Sequence, residues 1–163
     1  MPFAQLARPD EDEGCQPASS WPIRTRCYIV AAVIIEDRCG IYMVFMFEKL
    51  EVYQRAVNFA ERITVLTKSF PAQGHYHLVD QLRRASLSIS LNIAEGNGRW
   101  HVKDRKNFWW IARGSVFECV PLLELCKREK LITEDTWADL KAELEVLSKM
   151  LTALIKGTDM RGE

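Results

Sequence analysis

The strongest constraint on the fold is the spacing of apolar residues, which recur every three or four positions from residue 47 almost to the end of the chain. In the last third, two series of large side chains alternate over almost three heptads: Trp137, Leu144 and Leu151, and Leu140, Leu147 and Leu154. A seam with this period is typical of a helix that packs against other helices. We therefore expect a core built from helices.

The pattern predicts four amphipathic helices, over about residues 48–69, 75–95, 103–130 and 134–156. Four helices of this length joined by short loops favour an antiparallel up-and-down four-helix bundle, so the predicted fold class is all-α. A pair of helical hairpins that is stable only as an oligomer is the rival fold. Gly96 is expected to cap the second helix in left-handed geometry, and Thr133 to cap the start of the fourth.

Each of the first three helices also has predicted core residues. The first carries two stripes, Leu50, Tyr53, Val57 and Ala60, and Phe59, Ile63, Leu66 and Phe70; the second carries Leu78, Leu82, Ala85 and Ile89. The third carries Phe108, Ser115 and Leu122 in one series, and Ala112, Cys119 and Cys126 in the other. Pro121 lies inside the third helix and is expected to kink it, because proline removes a backbone hydrogen bond.

Residues 1–46 have a different character, with four of the six prolines, an acidic cluster and no helical period. The apolar pieces at 28–35 and 41–47 predict isolated strands at most, and two short strands do not make a domain. Either the segment is a disordered or loosely docked extension, or translation begins at Met43 or Met46. The predicted division is therefore 1–46 as an N-terminal extension, 47–157 as the bundle and 158–163 as a C-terminal tail.

Composition limits the compartment and the partners. The 22 basic and 22 acidic side chains balance, so net charge does not indicate a polyanion ligand. Five cysteines, an odd number without a Cys-x-x-Cys pair, argue against a disulfide framework or a zinc ribbon and favour a reducing compartment. No apolar run reaches the roughly 18–20 residues of a membrane span. We expect a cytoplasmic protein with no membrane partner.

Three strings in the second and third helices are specific: Gln81-Leu82-Arg83-Arg84-Ala85, Asn92-Ile93-Ala94-Glu95-Gly96, and Ile111-Ala112-Arg113-Gly114-Ser115. They resemble the four-helix bundle proteins known from intervening sequences of large-subunit ribosomal RNA genes, to which the accessory variability proteins of diversity-generating retroelements are related. The resemblance covers about residues 47–157. It implies a homo-oligomer, commonly a pentamer, with RNA or DNA as a ligand, alone or beside a partner enzyme such as a reverse transcriptase. It implies no enzymatic activity.

The strongest local charge feature is a set of basic residues on the second and third helices. The predicted nucleic-acid-binding residues are Arg83, Arg84, Arg99, Lys103, Arg105, Lys106 and Arg113. Cationic side chains on one face bind phosphates without regard to sequence. The alternative is a solvated face whose charges pair with Glu95, Asp104 or Glu118.

The predicted interaction surface consists of Trp100, Trp109 and Trp110. Trp109 and Trp110 point in different directions on a helix, so one is expected in the core and the other outside. An exposed indole contacts another subunit or stacks on an unpaired base. The alternative function is therefore a protein-interaction scaffold that does not bind nucleic acid.

No catalytic residues, metal site or cofactor are predicted. His75 and His77 lack a converging third ligand, and no serine–histidine–acid set is indicated. Cys119 and Cys126 fall on the seam and are expected in the core. Asn92 either fixes the helix register or bonds locally near the helix end.

Overall fold

The computed structural model describes residues 32–37, 40–71 and 74–159. Its four long helices are α1 (Glu51–Thr67), α2 (Tyr76–Gly98), α3 (Val102–Arg128) and α4 (Glu134–Asp159). They follow two strands, β1 (Ala32–Asp37) and β2 (Gly40–Phe45), and a short 3-10 helix, Met46–Lys49. Each helix lies within three residues of its predicted bounds at either end, and the predicted four-helix bundle is confirmed.

Consecutive helices pack against one another, and α4 closes the bundle by contacting α1. The middle of α2 meets the middle of α3 where the Oγ atoms of Ser88 and Ser115 lie 2.9 Å apart, and Gln81, earlier on α2, bonds to Glu118, later on α3, so the two helices are antiparallel. Between α1 and α4, Arg55 donates to both carboxylate oxygens of Glu143 at 3.0 and 3.3 Å. These pairs set the register of the bundle at two of its seams.

One apolar cluster runs through all four helices. Its fully buried large side chains include Phe59, Ile63, Leu82, Ile89, Leu123, Leu140, Leu144, Leu147 and Leu151. Each such side chain stabilises the fold by about 1.5–3 kcal/mol relative to exposure. The predicted seam of α4 is confirmed, since its four central leucines are buried and Trp137 and Leu154 pack at its ends.

The core stripe of α1 differs from the prediction. The buried residues are Val52, Ala56, Phe59, Ile63 and Thr67. Val57 is 40% exposed, so its predicted place in the core is wrong. The sequence pattern was misleading because α1 has apolar residues beside its core face, whereas the buried Thr67 is polar. The Thr67 hydroxyl is satisfied by donating to the Ile63 carbonyl at 2.7 Å.

Gly96 does not cap α2, so that prediction is wrong; the helix continues to Gly98. Gly96 is buried where α2 and α3 approach closely. A Cβ atom there would lie 2.6 Å from Nε1 and 2.8 Å from Cδ1 of Trp109, and 3.0 Å from the Arg105 carbonyl oxygen. Glycine is required at this position because the neighbouring helix occupies the space of a side chain.

Three smaller predictions have clear outcomes. Thr133 caps α4, because its Oγ1 accepts a hydrogen bond from the Thr136 N–H at 3.2 Å. Asn92 bonds locally, since its Nδ2 donates to the Ser88 carbonyl at 2.8 Å. Pro121 is exposed, and α3 runs through it without interruption, so the predicted kink does not break the helix.

The two strands expected to be isolated form an antiparallel hairpin, with Ala32 opposite Phe45 and Asp37 opposite Gly40. Residues 1–31 and 38–39 of the predicted extension lie outside the described residues, as does most of the predicted tail. The division into extension, bundle and tail therefore stays a prediction.

Replacing Gly96 with alanine should lower the free energy of unfolding by about 1–3 kcal/mol, because the added methyl group meets Trp109 and the α3 backbone. At Gly98 nothing lies within 4 Å of an added Cβ atom. Gly98→Ala should therefore leave stability unchanged or raise it by up to about 1 kcal/mol. Urea unfolding followed by circular dichroism measures both, and equal effects of the two substitutions would contradict the close approach.

Cys119 and Cys126 are buried, as predicted, and their thiols are free. Burial, followed by the nearby Glu118 charge, raises the pKa of Cys119 from 9.0 to about 12, and burial raises the pKa of Cys126 to about 11. The unfolded chain therefore releases these protons at lower pH than the folded chain. Their contribution to stability is complete below pH 9 and is lost as pH rises toward the folded-state pKa values.

The loss of unfolding free energy between about pH 8 and about pH 10 should accordingly be smaller in Cys119→Ala/Cys126→Ala than in the unchanged protein. The double substitution is expected to lower stability at both pH values, since it leaves space in the core. The difference between the two proteins in how unfolding free energy changes with pH gives the contribution of the two thiols. Equal changes would rule that contribution out.

Candidate nucleic-acid interface

The chain reverses direction between α2 and α3 over Arg99, Trp100 and His101. Arg99 leaves α2 in extended geometry (φ −82°, ψ 135°), and its N–H donates to the Gly96 carbonyl at 3.1 Å. The His101 side chain does not cap the first N–H groups of α3. We call residues 99–106 the basic turn, because they include four cationic side chains and one acidic side chain, Asp104.

Arg99 is held in place by two contacts. Its Nη2 pairs with Oε1 of Glu95, one helical turn earlier. Its guanidinium carbon also lies 4.7 Å from the centre of the Phe108 ring on α3. The ion pair between Arg99 and Glu95 is one of those expected if the basic residues form a solvated face. Arg99 remains exposed and is fixed in direction by both helices.

The other three cations of the basic turn differ in exposure. Lys103 is exposed and forms no ion pair with the described residues, whereas Arg105 and Lys106 are half-buried. Arg105 Nη2 donates to the Arg99 carbonyl at 3.1 Å, which ties the start of α3 to the end of α2. Its buried Nε has no acceptor among the residues that the structure describes. Arg105 therefore stabilises the basic turn through this hydrogen bond and also adds a positive charge to it.

The remaining members of the predicted basic set lie elsewhere. Arg83 faces α1 and donates from Nε to Thr67 Oγ1 at 2.7 Å, while Arg113 faces α4 and donates from Nε to Thr152 Oγ1 at 3.2 Å. Arg84 is exposed, with Nη1 4.0 Å from Asp80. At about 1.5 Å per residue it lies about 20 Å along α2 from the basic turn. The structure thus brings four of the seven residues together and separates the other three.

The three tryptophans occupy different environments. Trp100 is 74% exposed, Trp110 is 49% exposed and Trp109 is 3% exposed. The expectation that Trp109 and Trp110 point apart, one of them into the core, is confirmed. Trp109 packs against Gly96, so its predicted place on an interaction surface is corrected. Its Nε1 has no acceptor within the described part of the chain.

The outer surface of α2 and α3 exposes apolar side chains that the sequence analysis did not identify. We call this surface the apolar face; it comprises Leu87, Leu91, Trp110, Ile111, Phe117 and Leu125, each between 47% and 58% exposed. Successive residues of a helix are rotated by 100° about its axis. The four members of the apolar face on α3, together with Gly114 and Pro121, therefore fall within about 120° of the circumference of that helix. The signal was available in the sequence as a second apolar stripe next to the heptad seam.

Three further properties of the described residues bear on function: their cavities, their capacity to hold a metal ion and the apolar length of their helices. An open groove of about 420 Å³ between α1 and α4 is lined by Arg62, Val65, Leu66 and Leu140, among others. Within the described residues no group of three or more His, Cys, Asp or Glu side chains is placed to hold a metal ion. None of the described helices is both long and apolar enough to cross a membrane.

Residues 48–153, which include the first three helices and most of α4, match the protein family described as 23S rRNA-intervening sequence protein. The fold is similar to the crystal structure of a protein with unknown function from the S23 ribosomal protein family of Bacteroides thetaiotaomicron, with a TM-score of 0.60. The two chains are 26% identical, and the similarity covers 64% of this chain and 98% of that chain. No curated protein matches this chain.

Proposed function

Because the chain belongs to the 23S rRNA-intervening sequence protein family, we propose that it is a non-enzymatic, homo-oligomeric accessory module that binds RNA or DNA. The observation that carries the proposal is the basic turn, where four cationic side chains fall within eight residues at one end of the bundle. Cations in this arrangement bind phosphates through counterion release. The family's description makes ribosomal RNA the first nucleic acid to test, which agrees with a cytoplasmic location.

The balance of charge over the whole chain makes the location of the basic turn important. With 22 basic and 22 acidic side chains, the protein as a whole does not attract a polyanion. Affinity for phosphate must therefore come from local excess charge. The Arg99 guanidinium lies over the Phe108 ring, so it loses less conformational freedom on binding than a free surface side chain, although a phosphate must compete with Glu95 for it. Arg84 supplies a further exposed cation for a ligand long enough to reach it.

The apolar face supports self-association. Monomeric proteins rarely expose contiguous apolar patches larger than a few hundred Å². Copies that associate side by side through α2 and α3 repeat the basic turn within one assembly, and several weak sites then act together. A pentamer is the assembly that the family resemblance implies.

The same face also supports the alternative function, a protein-interaction scaffold. Six exposed apolar side chains along two helices can receive a different protein as well as a second copy. A reverse transcriptase is the partner that the relation to variability proteins implies, and that relation stays a prediction. A protein that is monomeric, binds no nucleic acid and captures one partner stably would favour this alternative.

Neutralising Arg99 and Lys103 with glutamine should weaken binding to ribosomal RNA and reduce the slope of log affinity against log salt. Each phosphate contact contributes about 0.9 to that slope on a duplex and about 0.7 on a single strand, so the loss should be about 1.4–1.8 per subunit. Fluorescence anisotropy over a series of salt concentrations measures the slope.

The control is Lys68→Gln/Lys130→Gln, which removes two exposed positive charges at the opposite end of the bundle. This variant has the same net charge as Arg99→Gln/Lys103→Gln. Its slope of log affinity against log salt should equal that of the protein without substitutions. Equal weakening by both pairs would mean that no local site exists, and the proposal would then fail.

Placing lysine at Leu91 and Ile111 should reduce the mass of the assembly in light scattering, because both charges lie in the apolar face. Val57→Lys/Val65→Lys adds the same charge at exposed apolar positions of α1 and should leave the mass unchanged. An unchanged protein that stays at 18.8 kDa at every concentration would exclude the homo-oligomer.

A further inference from the structure

We propose that the basic turn binds unpaired nucleotides, and that the indole of Trp100 is the surface on which a base stacks. This inference rests on the proposed function and specifies the form of nucleic acid. Trp100 is 74% exposed, more than any other large hydrophobic residue in the described part of the chain. It makes no hydrogen bond or ring contact with the described residues. An indole exposed to water within a cationic segment is available to stack on another aromatic surface.

The backbone on either side of Trp100 is fixed. Arg99 donates its N–H to the Gly96 carbonyl at 3.1 Å, and its own carbonyl accepts from Arg105 Nη2 at 3.1 Å. After Trp100, the carbonyl of His101 accepts from the Arg105 N–H at 3.0 Å, which starts α3. The exposed indole is thus carried on a turn attached to both helices. Stacking on it orders the side chain without having to order the backbone.

Cationic residues flank Trp100 in the sequence. Arg99 immediately precedes Trp100, and Lys103 follows it in the first turn of α3; both are exposed. A strand with one base on the indole carries phosphates on either side of that nucleotide. Arg99 and Lys103 can neutralise these phosphates, and stacking and phosphate contact then add in one short segment.

This combination distinguishes unpaired from paired strands. In a duplex every internal base is stacked between its neighbours, so its face is not available to an indole. A single strand exposes base faces of every type, and stacking on an aromatic side chain accepts any of them. A duplex can use only the phosphate contacts of the basic turn. We therefore expect the protein to prefer single-stranded over duplex ligands at equal salt, with little preference for sequence.

The experiment uses the full chain with two probes, a labelled oligouridine and the duplex that it forms with oligoadenosine. The variants are Trp100→Ala, Trp100→Phe and Tyr76→Ala; Tyr76 is 70% exposed at the opposite end of α2 and serves as the control. Fluorescence anisotropy gives the affinity of each pair at one salt concentration. Thermal unfolding of each variant verifies that the bundle is intact.

Trp100→Ala should weaken oligouridine binding by about 5- to 150-fold, the range that loss of one stacked base gives, and leave duplex binding unchanged. Trp100→Phe should restore most of the affinity, and Tyr76→Ala should behave as the unchanged protein. If Trp100→Ala binds both probes normally, or the unchanged protein prefers the duplex, the inference is wrong while the proposed function survives. If the unchanged protein binds neither probe nor ribosomal RNA, both fail.

Discussion

The absence of a side chain at Gly96 is the constraint on which the basic turn depends. Trp109 fills the space where a Cβ atom would lie, so α2 and α3 approach closely at this end. The chain can then reverse over three residues and continue in α3 within the same bundle. The reversal brings Arg99, Trp100 and Lys103 into one exposed segment at this end of the bundle. A larger residue at Gly96 would move the helices apart and disperse these side chains.

The core positions that follow from the helical period could be predicted from the sequence. The close approach of two helices, and the helix that each arginine faces, could not. Leu140, Leu144 and Leu147 were identified as core because only one register of α4 buries them together. Gly96 was misread because a cap and a close approach both require glycine, and only the position of Trp109 distinguishes them. Adjacent residues on a helix point about 100° apart. Arg83 and Arg84 therefore reach different surfaces, and this separation follows only from knowing where α1 packs.

The functional surfaces are separate. The basic turn lies at one end of the bundle, whereas the apolar face follows the outer side of α2 and α3. Self-association through the apolar face would therefore leave the basic turn open, and the assembly would present several such turns. The buried thiols of Cys119 and Cys126 belong to the core and take no part in either surface.

A disulfide cross-link between α2 and α3 gives the sharpest test of how these two helices are aligned. In Ser88→Cys/Ser115→Cys the new thiols replace hydroxyls that lie 2.9 Å apart. We expect a disulfide under mild oxidation, identified by peptide mapping that separates it from the native cysteines. Gln81→Cys/Ser115→Cys moves one thiol about 10 Å along α2 and should not form it, since a disulfide needs Cβ atoms about 3.5–4.5 Å apart. The reverse result would contradict the register that creates the basic turn.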